Sequence, residues 1–390
     1  MKKLLLLFIP VFTFAQANTE IHLFDINLKN NEWVISNGKN ISNNKGYDNQ
    51  PHFYDDNTVL FSSTRNKQTD IVKYDISLDK LTYISNTPNG GEYSPQRIPN
   101  SRHLSAVRLD KDGKQGFYAY NFNTGKYKEL IQDLVVAYPL WHDQNTLISS
   151  AIVNDSLQLN ISSITPQKNI GLIKNVGRSF HKIPNSNLIS FMKKNGQEWE
   201  VWSLHPKTRA TKFIVNVQEN QDVCWLPNGE LLFPHKNRIY RYNPETKESP
   251  SIFYIFSNEE INNISRITVN KNGTKLAFAA EESPRHIVQK QLEAYNNRDI
   301  EAFMATFSKD VKVFTHLDQL KYQGKDKMRN IYEPMFNTVK NLHCKIITRI
   351  VKDNKVIDEE SITIDGKKFR TVAIYEVTNG RISAIRFLRK

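Results

Sequence analysis

A chain of 390 residues is long enough to bury large cores, and with only two cysteines it does not depend on a disulfide framework. The formal net charge is +13, and the excess is uneven: from Pro284 onward 21 Lys and Arg face 13 Asp and Glu. No basic stretch is interleaved with aromatic residues, which argues against nucleic acid as a partner and leaves a solvated basic surface or an anionic ligand to account for the charge.

The chain opens on Met1-Lys2-Lys3, continues as an apolar run from Leu4 to Phe14 and leaves it through Ala15-Gln16-Ala17. A basic start, an apolar stretch too short for a bilayer and small exit residues predict a secretory signal peptide over residues 1–17. The mature protein then begins at Gln16 or Asn18. No later apolar run approaches the ~20 residues of a membrane helix, and no Cys stands at the exit to take a lipid. The expected location is periplasmic or secreted, without a transmembrane anchor.

Between Leu60 and Phe278 a small apolar strand core occurs six times, at Leu60-Phe61-Ser62, Leu104-Ser105-Ala106, Leu147-Ile148-Ser149, Leu188-Ile189-Ser190, Leu231-Leu232-Phe233 and Leu276-Ala277-Phe278. The spacing of 41 to 45 residues is that of a propeller blade. Polar turns such as Asp55-Asp56-Asn57 and Pro227-Asn228-Gly229 precede most cores, where hairpins need tight-turn residues. A strand with an aromatic rhythm follows, as in Asp70-Ile71-Val72-Lys73-Tyr74 and Arg238-Ile239-Tyr240-Arg241-Tyr242. The sixth repeat lacks that strand, whereas Glu20-Ile21-His22-Leu23-Phe24-Asp25-Ile26 has the pattern and no blade of its own. The prediction is a six-bladed β-propeller over 18–282, closed by the N-terminal segment as outer strand of the last blade. In the first repeat, Pro51-His52-Phe53, Leu60-Phe61-Ser62-Ser63-Thr64-Arg65 and Asp70-Ile71 resemble the TolB-type propeller repeat; later repeats are eroded.

At Glu281-Glu282-Ser283-Pro284 the pattern changes. Ser283 as N-cap and Pro284 at the first helical position start a helix that carries Ile287, Val288, Leu292 and Tyr295 at helical spacing. Asp299 caps a second helix with Ile300, Phe303, Met304 and Phe307 on its apolar stripe. A short strand around Val311 to Phe314, a linker and a helix from Lys325 to Phe336 follow. Four strands end the chain, at 342–351, 356–364, 368–377 and 381–388, joined by hairpin turns such as Asp365-Gly366. The expected fold is thus an all-β propeller followed by a small α+β roll over 283–390.

Three stretches carry a likeness to a known family: Gln291 to Phe303, the helix entry Gly324-Lys325-Asp326-Lys327-Met328-Arg329, and Asn341-Leu342-His343-Cys344 leading to Val356-Ile357-Asp358. With the element order, they resemble the cone-shaped nuclear-transport-factor-2-like family, in particular its SnoaL-like branch. That resemblance implies a pocket inside a curved sheet, in a family where some members are isomerases, cyclases or dehydratases and many only bind or dimerise. The relatives that isomerise ketosteroids use a Tyr and two Asp, and the matching positions here are Gln291, Thr315 and Ala373. Gln and Thr are no bases near neutral pH and Ala offers no proton, so that reaction is disfavoured.

Strand alternation places Asp358 and Glu360 on one face with Val356, Ile362 and Ile364, a setting that raises a carboxylate pKa. The same alternation puts His343 and Arg349 together on the neighbouring strand. A catalytic reading groups His316, Tyr332, Asp358 and Glu360; a structural one pairs the two carboxylates with Arg349, Arg370 or Arg386 across the sheet. Cys224 and Cys344 read as buried free thiols without metal-ligand spacing, so neither a metal nor a cofactor is expected. Gly-x-Ser-x-Gly, phosphate-loop, dinucleotide and His-Glu-x-x-His motifs do not occur. The expectation is an exported, non-catalytic binding protein. Its propeller face takes a protein or cell-envelope ligand, and its cone takes a small apolar or anionic molecule or forms a homodimer through its sheet. The alternative is an isomerase, dehydratase or hydrolase-like enzyme in the cone pocket.

Overall fold

In the computed structural model, residues 18–29, 32–44, 46–257, 261–315 and 318–388 are described. The expected signal peptide and the candidate His316 lie outside them. No helix among the described residues is long and apolar enough to cross a membrane.

The six apolar cores seen in the sequence become the second strands of six four-stranded antiparallel sheets: Thr58–Arg65, His103–Asp110, Thr146–Val153, Ile189–Asn195, Leu231–His235 and Lys275–Glu282. Their residues are apolar or small because both faces of each strand are covered by neighbouring blades. Leu60, Ile71, Leu104 and Tyr120 bridge the first two blades, and Met192, Val201, Val223 and Leu231 the fourth and fifth. Two Trp side chains reinforce this stacking by donating 2.8 Å hydrogen bonds to the preceding blade, Trp141 Nε1 to Ser105 Oγ and Trp225 Nε1 to Ser190 Oγ.

The ring is closed by the expected N-terminal segment: His22, Leu23 and Phe24 of strand Thr19–Lys29 lie opposite Phe278, Ala277 and Leu276. Ile21 and Leu23 then pack on Val59, Phe61 and Val72 of the first blade, so the last interface is as apolar as the others. One element differs from expectation. Thr19–Lys29 is the third strand of its blade, and Glu32–Asn40 lies outside it as the edge. That edge strand is mostly polar, its three apolar residues are consecutive, with Trp33 tilted against Phe253 at 5.8 Å, Val34 exposed and Ile35 in the core with Ile26, so its sequence lacks an alternating apolar signal.

The C-terminal unit comprises helices α1 (Pro284–Asn297), α2 (Ile300–Ala305) and α3 (Lys325–Thr338), and strands β1 (Phe307–Thr315), β2 (Gln319–Gln323), β3 (Leu342–Lys352), β4 (Lys355–Ile364), β5 (Lys367–Thr378) and β6 (Arg381–Leu388). Ser283 caps α1 by accepting from the Arg285 N–H, Asp299 caps α2 by accepting from Ala302 N–H, and Arg298 between them takes the left-handed conformation that ends α1. The sheet runs β2-β1-β6-β5-β4-β3, with the stretch read as a linker supplying β2. Val288, Tyr295, Phe303, Met328 and Phe336 of the helices press on Val313, Tyr375 and Ile385 of the sheet. The two units meet at Lys290 Nζ of α1, which donates to Glu282 at 2.7 Å, and at Lys236, 3.5 Å from Asp353.

Candidate functional site

The helices do not fill the curved sheet. A cavity of about 200 Å³ remains between α1, α3 and the strands, walled by Leu292, Val313, Met335, Ile362, Ile385 and Phe387. Polar groups enter it from every side: Gln291 and Tyr295 from α1, Thr315 from β1, Lys321 and Tyr322 from β2, Tyr332 from α3, and Glu360, Thr371 and Tyr375 from the sheet. A mostly apolar enclosure with convergent polar groups is the usual form of a small-molecule site.

Glu360 is 3% exposed, and Oε1 accepts a 2.7 Å hydrogen bond from the Tyr375 hydroxyl. Burial raises its pKa to about 7, the Tyr375 hydrogen bond opposing and Asp358 adding to the rise. No lysine or arginine pairs with it among the described residues. Gln291 is 7% exposed, and its amide makes no hydrogen bond to the described residues, so it is available to a guest. Burial also pushes the Tyr322 hydroxyl up to about 12, a rise opposed by its hydrogen bond with Tyr332.

The two carboxylates on one strand face have different fates. Arg349 grips Asp358 through Nε to Oδ1 and Nη2 to Oδ2, both at 2.7 Å, and donates Nη1 to Gln289 at 2.8 Å. Asp358 is 1% exposed and does not line the cavity. Arg370 and Arg386 turn to Glu359 and Glu376, at 3.6 and 3.1 Å, and leave Glu360 to Tyr375. A β-bulge sets this arrangement. Ile346 faces Glu360 but Thr348 faces Glu359, so Ile347 is an extra residue that shifts Arg349 to the inner face opposite Asp358. His343, expected beside Arg349, lies before the bulge and is exposed on the other face.

Of the candidates from the sequence, Glu360 and Tyr332 therefore come together at the cavity, and Asp358 is held in an ion pair behind it. Tyr332 sits in an aromatic wall, 4.7 Å from Phe303 and 6.1 Å from Phe336 between ring centroids. Gln291 and Thr315 both line the cavity, and Ala373 lies opposite Asp358. Tyr375, Tyr322 and Tyr295 were not singled out by sequence. Alternation along β5 does place Tyr375 on the face of Ala373, but its bond to Glu360 depends on how the sheet curves.

These two folds set the class of the protein: a six-bladed, TolB-like propeller joined to an NTF2-like cone. Residues 288–385 match the family model of the SnoaL-like domain. Among solved structures, a protein assigned as TolB from Agrobacterium tumefaciens matches at 10% identity over 68% of this chain and 98% of that one, with a TM-score of 0.53. An NTF2-like protein of unknown function from Cytophaga hutchinsonii matches at 16% identity over 27% of this chain and 87% of that one, with a TM-score of 0.24. An LEH-like epoxide hydrolase of M. tuberculosis matches at 20% identity over 27% and 82%, with a TM-score of 0.25. None of the curated proteins matches.

Proposed function

We propose that the protein is an exported two-domain binding protein whose cone holds a small, mostly apolar guest by a hydrogen-bonding group. The observation that carries this reading is the pair of Gln291 and Glu360, both buried at the wall of an apolar cavity, one without a protein partner and the other bonded to Tyr375 alone among the described residues. With burial raising its pKa to about 7, Glu360 is open to both protonation states near neutral pH, so together with Gln291 it offers both a donor and an acceptor. A guest hydroxyl or carbonyl meets that need. Filling the cavity with Thr371→Trp should abolish binding of small cyclic alcohols and ketones screened by ligand-observed NMR on the full chain. Equal binding in the filled variant would refute the assignment.

The propeller is proposed to engage a protein or cell-envelope partner, which crosslinking of the full chain in envelope fractions against a charge-scrambled surface control tests. Export rests on the leader read in the sequence, and N-terminal sequencing of the secreted chain checks it.

A second reading is favoured by one property, the rise of Glu360 to about 7, which suits proton transfer in either direction. In an isomerase or dehydratase Glu360 would be the base and Tyr332 a donor. Glu360→Gln decides between the two: turnover lost with binding retained supports an enzyme, and turnover unaffected removes it.

A further inference from the structure

The axis of the propeller carries a second polar constellation. Its inner strands enclose three joined cavities, of about 430, 240 and 770 Å³. Gln50, Tyr138, Arg178 and Arg266 border both the first and the middle cavity, and His52, His181, Lys182 and Lys271 both the middle and the last, so the three form one tunnel. At its waist each blade contributes one residue: Gln50, Ser94, Tyr138, Arg178, Asp222 and Arg266. Successive members are 44 residues apart, except for 40 between Tyr138 and Arg178.

The backbone is bent to present them. Five of the six inner strands break their ladder at this level, between Asn49 and His52, Tyr93 and Gln96, Val136 and Tyr138, Val176 and Phe180, and Ser265 and Thr268. Gln50, Ser94 and Arg266 have φ of 61°, 51° and 52°, a region costly for residues with a Cβ. Three equivalent residues in that conformation, all bordering the axis, point to a constraint on what the axis holds.

The hydrogen-bonding inventory has a sign. Asp222 accepts from Arg178 Nε at 3.1 Å and Nη2 at 2.5 Å, and from Arg266 Nη1 at 3.5 Å, so one carboxylate holds two guanidinium groups side by side. Gln50 Oε1 accepts from Ser94 N–H at 2.6 Å and Ser62 Oγ at 3.1 Å, which leaves the Gln50 amide nitrogen as an unused donor among the described residues. Ser94 is 7% exposed, and its Oγ is buried with no hydrogen-bond partner. Lys182 and Lys271 add two more cations, so the middle cavity sets four against one carboxylate. The spare groups at the waist are donors and cations, in a narrow tunnel where a field is focused rather than screened.

We propose that the waist of the propeller binds a small oxyanion with more than one negative charge, a phosphate monoester or a di- or tricarboxylate. Arg178 and Arg266, fixed by Asp222, present forks that match such oxygens, and Gln50 and Ser94 complete the shell from the opposite blades. The site is independent of the cone cavity.

The test is calorimetric titration of the full chain at low ionic strength with inorganic phosphate in one arm and citrate in the other. Binding of either probe supports the site, and the arm that binds gives the class. Lys182→Met with Lys271→Met, which leaves the Arg178–Asp222–Arg266 cluster intact, should weaken binding at least tenfold, about 1.4 kcal/mol. Ser94→Ala should also weaken it without lowering the melting temperature, since it deletes an unpaired hydroxyl. Glu360→Gln should leave the affinity unchanged. Absence of binding by both probes up to ~10 mM, equal affinity in the double Lys variant, or loss in Glu360→Gln would overturn the proposal.

Discussion

The Tyr375 hydroxyl donates to the Glu360 carboxyl at 2.7 Å, and both side chains are buried at the inner wall of the cone. That bond favours the ionised carboxylate, while burial favours the neutral acid and prevails. Tyr375→Phe should therefore move the Glu360 pKa above its value of about 7, measured by carbon-detected NMR of the carboxyl.

Glu360 also makes the cone sensitive to pH. In the folded chain the carboxyl keeps its proton until about pH 7, whereas the unfolded one loses it near 4.5. Between those values the folded state binds more protons, so this contribution to stability is complete below pH 4.5 and is lost as pH rises through 7. The loss is about 3 kcal/mol at most. Glu360→Gln should remove it, and the difference in unfolding free energy between variant and parent should grow from pH 5 to pH 8. A difference that does not change with pH would show that the carboxyl titrates normally.

Arg349 and Asp358 form a buried pair, and removing the cation strands a charge. Arg349→Ala should destabilise the chain by about 3 kcal/mol. Arg370→Ala, which breaks the pair with Glu359 at 73% and 38% side-chain exposure, should cost less than about 1 kcal/mol. Urea unfolding of the two variants checks the contrast.

Strand Thr19–Lys29 joins the first and last blades, and its deletion leaves Lys275–Glu282 with an open edge. Removing residues 18–29 should lower stability by several kcal/mol and promote aggregation. An unchanged melting temperature would mean that the ring closes without it.

Outside the cone, Ile350, Ile357 and Ile374 form a row of cross-strand partners on the face opposite the cavity, with Ile350 55% exposed. A second copy of the chain is the proposed occupant of this face. Ile350→Lys should shift the sedimentation coefficient from dimer to monomer, and a parent chain that is monomeric at all concentrations would dismiss the pairing.

The sequence by itself determined the blades and the helix starts. Six apolar cores at blade spacing, the cap at Ser283 with Pro284, and the cap at Asp299 are local signals, because turn chemistry and side-chain periodicity act within a few residues. Only the tertiary structure decided which carboxylate faces the cavity. One extra residue at Ile347 reverses the alternation along β3, so a count from His343 puts Arg349 on the wrong face, and only the bulge brings it opposite Asp358. Glu32–Asn40 and Gln319–Gln323 went unread for a related reason: edge strands expose most of their side chains and need little apolar pattern. The waist of the propeller lies at the same limit. Gln50, Ser94, Tyr138, Arg178, Asp222 and Arg266 are of five residue types with no common motif, and only closure of the ring brings positions some 40 residues apart around one axis.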